Sequence, residues 1–244
     1  MKKLLEKISS CENIKKCLEG DLKNPCYKIV SNQNKESFQL PEPWNGDLQN
    51  APIIILGSNP SINEDEMYPD SSWNIDEKFE FHSERFSGKW TKDQKYVMLK
   101  DGSYDTKAVR FWSSVKNRVK EIYLKDKILL GDDLCMIEIV KCKSRKEYGV
   151  KECMSECSQK YMNDILNFSN AEVILCLGKV AEIFIKDFYK LEDKKIAEDV
   201  EIAGKKRTVI FIPHPSSFVK NKKIESLLTF EEIERVQEKL TNFL

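Results

Sequence analysis

The sequence has no net charge, because 40 Lys and Arg are matched by 40 Asp and Glu. That balance excludes a uniformly basic nucleic-acid binder, although a local basic patch on a neutral body is still compatible with it. Long apolar runs are missing, and none approaches the roughly 18 residues of a membrane span. The start, Met1-Lys2-Lys3-Leu4-Leu5-Glu6-Lys7, has no apolar core of the secretory type. A cytoplasmic monomer with no membrane partner is therefore expected. Histidine is scarce, with only His82 and His214. Imidazole chemistry thus has two candidates, and any zinc site must be rich in thiolate. No internal repeat or low-complexity tract is found.

What is present fits a soluble globular chain. The 244 residues are 41% hydrophobic and 33% charged, enough for one large domain with a real core. In a reducing compartment the eight cysteines are core residues, metal ligands or reactive thiols rather than a disulfide framework.

Periodicity organises the chain. Leu4, Leu5, Ile8, Cys11 and Ile14 recur at helical spacing, so Met1 to Leu18 reads as one helix broken by Asn24-Pro25. An extended lead-in segment follows, through Leu40-Pro41-Glu42-Pro43-Trp44. Four apolar runs read as buried strands: Ala51–Leu56, Leu134–Val140, Ala171–Leu177 and Arg207–Ile212. Helical patterns lie at Thr106–Tyr123, Val150–Phe168, Lys179–Phe188 and Ser226–Leu244. The alternation predicts a single three-layer α/β domain over residues 1–244. It would have a mostly parallel four-stranded sheet flanked by helices, with residues 1–45 as an N-terminal helical extension. Ligands of such sheets bind beyond the carboxyl ends of the strands. Chemistry should therefore sit near Asn59, Lys141 and its neighbours, Gly178 and His214.

Two rim segments stand out. Gly57-Ser58-Asn59-Pro60-Ser61 puts an amide on a proline-stiffened turn, where it can hold a water by hydrogen bonds; Asn-Pro is also ordinary turn chemistry. Pro213-His214-Pro215-Ser216-Ser217 fixes an imidazole between prolines. A neutral histidine there can donate to a developing oxyanion, and a surface histidine in a stiff loop is the plain alternative. His82 reads as an ordinary polar position. Lys141-Cys142-Lys143-Ser144-Arg145-Lys146 is basic and suits phosphate contacts, or simply a solvated loop. After His214, Phe218 and Val219 lie beside Lys220, Lys222 and Lys223. An apolar wedge between cations is a way to unstack bases while holding phosphates. Cys17 and Cys26 bracket the N-terminal turn, and Cys142 and Cys157 bracket a helix start. Four thiolates from two regions can close a metal or cluster site. Cys135 and Cys176 read as core, while Cys11 and Cys153 are ambiguous.

Together these segments resemble the uracil-DNA glycosylase superfamily. Gly57-Ser58-Asn59-Pro60 is similar to its first motif, whose residue before the proline orients the attacking water, and Asn59 matches the Asn version of the mismatch-specific and single-strand-selective branches. His214-Pro215-Ser216-Ser217 resembles the second motif, whose histidine stabilises charge on the departing base. Val140-Lys141-Cys142-Lys143-Ser144-Arg145, Cys157 and Val173–Ala181 are similar to the iron–sulfur branch, in which two such cysteines join two N-terminal ones around a [4Fe-4S] cluster. That branch usually opens its first motif with an acid and spaces its N-terminal cysteines two apart, and both features differ here. Its base-reading Asn falls on Glu138. An ionised Glu offers only acceptors, whereas a protonated one adds a donor.

The resemblance implies a DNA glycosylase that hydrolyses the N-glycosidic bond of a damaged, deaminated base such as uracil, flipped from the stack. It implies Asn59 and His214 as catalytic residues and Glu138, Trp73 and Ser58 at the base, with Phe79 and Phe81 competing with Trp73 as the stacking platform. Lys143, Arg145, Ser216, Phe218, Lys220 and Lys222 would contact DNA, and Cys17, Cys26, Cys142 and Cys157 would hold a [4Fe-4S] cluster, with zinc as second choice. The alternatives are a catalytically weak or inactive nucleic-acid-binding protein on the same fold, and a thiol or metal sensor built on Cys153 and Cys157.

Overall fold

The computed structural model describes residues 1–219 and 222–243. In chain order the elements are helices α1 (Lys2–Ser9), α2 (Glu12–Leu18) and α3 (Tyr27–Ser31), then strand β1 (Ile53–Gly57) and helix α4 (Ile75–Ser83). Strands β2 (Thr91–Lys92) and β3 (Tyr96–Val97), helix α5 (Arg110–Lys120), strand β4 (Leu134–Glu138) and helix α6 (Val150–Phe168) follow. Strand β5 (Val173–Leu177), helix α7 (Gly178–Tyr189), strands β6 (Ile196–Ile202) and β7 (Lys205–Ile212) and helix α8 (Phe230–Asn242) complete the chain.

The main sheet has five strands in the order β4-β1-β5-β7-β6. The first four pair in parallel, and β6 joins the edge antiparallel to β7. Strands β1 and β5 are buried along their whole length, which is why they read as unbroken apolar runs rather than alternating ones. Alternation reappears in which layer each side chain joins. Ile54, Leu56, Ile174, Cys176, Val209 and Phe211 pack with α1, α2, α3, α6 and α7. Ile53, Ile55, Val173, Leu175, Ile210 and Ile212 pack with α5 and α8. This is the expected three-layer α/β arrangement.

Three expectations need correction. The sheet has five strands, not four: β6 carries Glu198, Asp199 and Glu201 and lacks an apolar run, as suits a charged edge strand. It turns back into β7 through Ala203 and Gly204, both at positive φ (51° and 74°), the geometry of a tight primed hairpin. The first helix is broken in two: Ser10 leaves helical geometry at φ −101° and ψ 31°, its Oγ donating to the Glu6 carbonyl at 2.7 Å, and Cys11 turns the chain at φ −53° and ψ 120° before α2. The last helix starts later, at Phe230, behind a capping box of Thr229 and Glu232; a short 3₁₀ turn at Ile224–Ser226 precedes it.

The N-terminal helices lie close against the start of α6. A Cβ on Gly149 would come within 2.5 Å of the Ile29 backbone nitrogen, at a φ of +77°. Gly102 has a similar φ, +82°, but nothing within 4 Å. Gly102→Ala should therefore cost only the left-handed penalty of about 1–2 kcal/mol. Gly149→Ala should add an overpacking cost of about 1–3 kcal/mol and show a clearly lower urea midpoint.

Candidate active site

The carboxyl ends of the parallel strands converge on one rim. Beyond β1, the Asn59 side chain is held by two donations: Nδ2 to the Pro60 carbonyl at 2.8 Å and to Ser144 Oγ at 3.2 Å. Ser144 is itself fixed, its backbone N–H reaching the Pro60 carbonyl at 3.0 Å. With both amide protons used, Oδ1 is left to accept a hydrogen bond from a water. Next to it, Ser58 Oγ donates to Glu147 Oε1 at 2.5 Å.

Beyond β7, the His214 ring stacks on Phe111, with centroids 5.6 Å apart and planes at 23°. The Ser216 N–H donates to His214 Nδ1 at 3.2 Å, so in the neutral ring the proton sits on Nε2. Burial lowers the His214 pKa; Glu147 opposes that and Lys222 adds to it. The ring is thus a neutral donor at neutral pH. Gly178 permits its seat, because a Cβ there would come within 3.1 Å of the His214 Cβ.

Two cavities meet at these residues. One, of about 390 Å³, is lined by Glu138, Lys143, Phe111 and Trp112 among others. The other, of about 410 Å³, is lined by Lys146, Glu147, Gly178 and Lys179 among others. Ser58, Asn59, Ser61, His214 and Ser216 line both.

A family model described as the uracil DNA glycosylase superfamily matches residues 43–240. The chain belongs to the uracil DNA glycosylase superfamily. No individual curated protein matches it. Both rim motifs fall within the matched span, whereas Cys11, Cys17 and Cys26 precede it.

Glu138 ends β4 opposite Gly57 in the parallel register. A Cβ on Gly57 would lie 2.3 Å from Glu138 Oε2, so the glycine makes room for the carboxyl. Oε2 is sheltered from solvent and has no hydrogen-bond partner among the described residues. Burial pushes the Glu138 pKa up to about 8; Glu42 and Glu147 add to this and Lys141 opposes it.

Several predicted residues lie elsewhere in the glycosylase fold. Trp73 is not at the pocket; it packs on Phe81 at 5.8 Å and Trp90 at 5.6 Å and lines a separate cavity. Phe79 packs against Trp44, and Phe81 is fully buried. The aromatics that do line the pocket are Phe111 and Trp112. Helical spacing put Trp112 on a buried face, but it carried no sign that Phe111, one position off that stripe, would turn to the rim. Lys143 is no phosphate contact, being 3% exposed. Its Nζ lies 3.7 Å from Glu42, 3.9 Å from Glu66 and 3.6 Å above the Tyr68 ring, and Glu66 pairs in turn with Arg85. Arg145 is exposed and pairs with Glu64 at 2.6 Å. Phe218 and Val219 are exposed beside the histidine loop, as is Ser216, and Lys222 Nζ reaches the Pro215 carbonyl at 2.6 Å. Lys220 lies outside the described residues. His82 is buried beside Asn45, and burial takes its pKa down to about 3, so it is a neutral core residue.

The thiols gather behind the pocket. Cys11, Cys26, Cys142, Cys153 and Cys157 line one small cavity, of about 20 Å³, with Asn13, Lys141 and Lys160. Cys17 is buried on α2 and does not line it. Among the described residues no three His, Cys, Asp or Glu side chains form a group able to hold one metal ion. An all-sulfur donor set is nonetheless the chemistry of an iron–sulfur cluster, in which each thiolate takes its own iron, although in this small space the sulfurs would have to part. Two sulfurs already accept N–H donors: Cys157 from the Lys141 backbone at 3.3 Å and Cys26 from Asn13 at 3.8 Å. Burial pushes the Cys157 pKa up to about 11, so without a metal that thiol is protonated, whereas hydrogen bonding with Cys153 draws the Cys26 pKa down.

The ion network under the pocket separates two lysine-loop residues by their energetics. Lys143→Ala leaves buried Glu66 and half-buried Glu42 without that cation and should cost about 3–5 kcal/mol in urea denaturation. Arg145→Ala breaks an exposed pair and should cost less than about 1 kcal/mol.

Proposed function

We propose that this chain is a DNA glycosylase that hydrolyses the N-glycosidic bond of a deaminated base, uracil being the first candidate. One observation carries the reading: the Asn59 acceptor and the neutral His214 donor reach the same cavity from the ends of β1 and β7. Asn59 Oδ1 orients the attacking water. Nε2–H of His214 donates to the base as negative charge builds on it, and because the donor is fixed beforehand it favours the transition state over the ground state. Phe111, rather than Trp73, is the aromatic wall of the base site.

Glu138 reads the base edge as a neutral acid. The imide edge of uracil presents an N–H between two carbonyls, and a protonated carboxyl offers one donor and one acceptor to it. Its raised pKa, about 8, makes the neutral form dominant at physiological pH. Phe218 and Val219 act as the wedge, with Arg145, Ser216 and Lys222 near the backbone of DNA. The thiols Cys11, Cys26, Cys142 and Cys157 would hold a [4Fe-4S] cluster, Cys11 replacing Cys17 in the set. When bound, the cluster acts as a structural staple between the N-terminal helices and the sheet.

The test is base release from uracil-, hypoxanthine- and xanthine-containing oligonucleotides. His214→Ala should slow the chemical step by about 10²–10³-fold while DNA affinity survives. No release from any of these substrates would instead favour a binding protein on the same fold. The pH dependence has a defined sign: Glu138 is neutral below about 8 and ionised above it. Uracil affinity should therefore fall as pH rises through that value, and Glu138→Gln should remove the fall. For the thiols, anaerobic protein should be brown, with about four irons per chain. Cys11→Ser should lose the iron and Cys17→Ser should keep it; stoichiometric zinc would make the site a zinc one.

A further inference from the structure

In the glycosylase reading Asn59 orients water but cannot take its proton, because an amide oxygen is not a base at neutral pH. The rim nevertheless carries an unassigned carboxylate. Glu147 Oε1 accepts from Ser58 Oγ at 2.5 Å, one residue from Asn59. Glu147 lines the second cavity together with Asn59, His214 and Ser216. No Lys or Arg among the described residues pairs with it, in contrast to its loop neighbour Arg145, which pairs with Glu64.

The backbone that delivers Glu147 is strained. Lys146 and Glu147 are consecutive non-glycine residues at positive φ, 53° and 56°. Left-handed backbone is disfavoured at residues that carry a Cβ, and strain of this kind clusters at functional sites. The loop thus gives up stability to bring this side chain to the rim.

The two cavities give the carboxylate its place along a substrate. In the glycosylase reading a base in the first cavity would put the sugar and phosphate in the second, with the glycosidic bond at the residues both cavities share. Glu138 lines only the base side and Glu147 only the sugar side.

We propose that Glu147 is the general base of the reaction, supplying the carboxylate that an Asn-type first motif lacks, with Ser58 as its positioning residue. Glu147 takes a proton from the water held by Asn59. The water oxygen forms a bond to C1′ as the C1′–N bond breaks, and that electron pair leaves on the base, where His214 Nε2–H meets it. The proton then passes from Glu147 to solvent or to the released base, so no further reactant is needed. This proposal rests on the glycosylase reading.

The experiment is single-turnover uracil release from a single-stranded oligonucleotide by wild type, Glu147→Gln, Asn59→Asp and the double variant. A general base is typically worth about 10²–10⁴-fold. Glu147→Gln should slow release by that order, with affinity for an abasic oligonucleotide and thermal stability unchanged. Adding Asn59→Asp to Glu147→Gln should restore much of the rate, because it returns a carboxylate to the water. A Gln variant within about threefold of wild type, or a double variant no faster than the Gln variant, overturns the role of Glu147. An inactive wild type overturns the glycosylase reading itself, and this proposal with it.

Discussion

The parallel pairing of β1 with β4 sets the geometry on which the pocket depends. It puts Gly57 directly opposite Glu138, and the missing Cβ of that glycine is the space the carboxyl occupies. Because β1 lies between β4 and β5, any shift in its register would move Ser58 and Asn59 relative to both neighbours at once. A slip of one residue would also turn every apolar side chain of the strand to the wrong layer. The two buried faces therefore hold the turn after β1 in place from below, and the turn needs little stabilisation of its own. The Asn59 amide, both of whose protons are spent on the protein, is oriented by the same economy.

The second constraint is electrostatic. Glu42, Glu66, Arg85 and Lys143 come together beneath the pocket with almost no solvent. Burial lowers the Lys143 pKa to about 8 and Glu42 opposes that. Such a group is a weak source of stability, since desolvation offsets most of the attraction. Its use is to fix where charge sits. The lead-in segment, the loop after β1 and the segment after β4 each contribute a member, so they are held in one arrangement around the cavity.

Much of this was legible in the sequence, and the failures have physical causes. Buried central strands announce themselves as apolar runs, so β1, β4, β5 and β7 were readable, as were the two motifs that follow β1 and β7. An edge strand needs only one apolar face and protects the other with charge, so β6, with Glu198, Asp199 and Glu201, gave no comparable signal. Lysine in a polar run reads as solvated, and only the meeting of distant acids from two other segments shows that Lys143 is not. Trp73 lay at a plausible distance along the chain from the first motif, but aromatic packing with Phe81 and Trp90 claimed it. Cys11 and Cys17 could not be ranked by spacing, because the break at Ser10 decides which of them faces the other thiols.

Cys142 and Lys143 are adjacent, yet one lines the thiol cavity and the other the cavity at the strand ends. A single stretch of backbone is thus a shared wall between two compartments built from different parts of the chain. Occupancy of one compartment that displaces the wall must alter the free energy of filling the other, and linkage makes that influence equal in both directions. What fills the space among the sulfurs and what fills the rim cavity are, in this architecture, two loads on the same few ångströms of main chain.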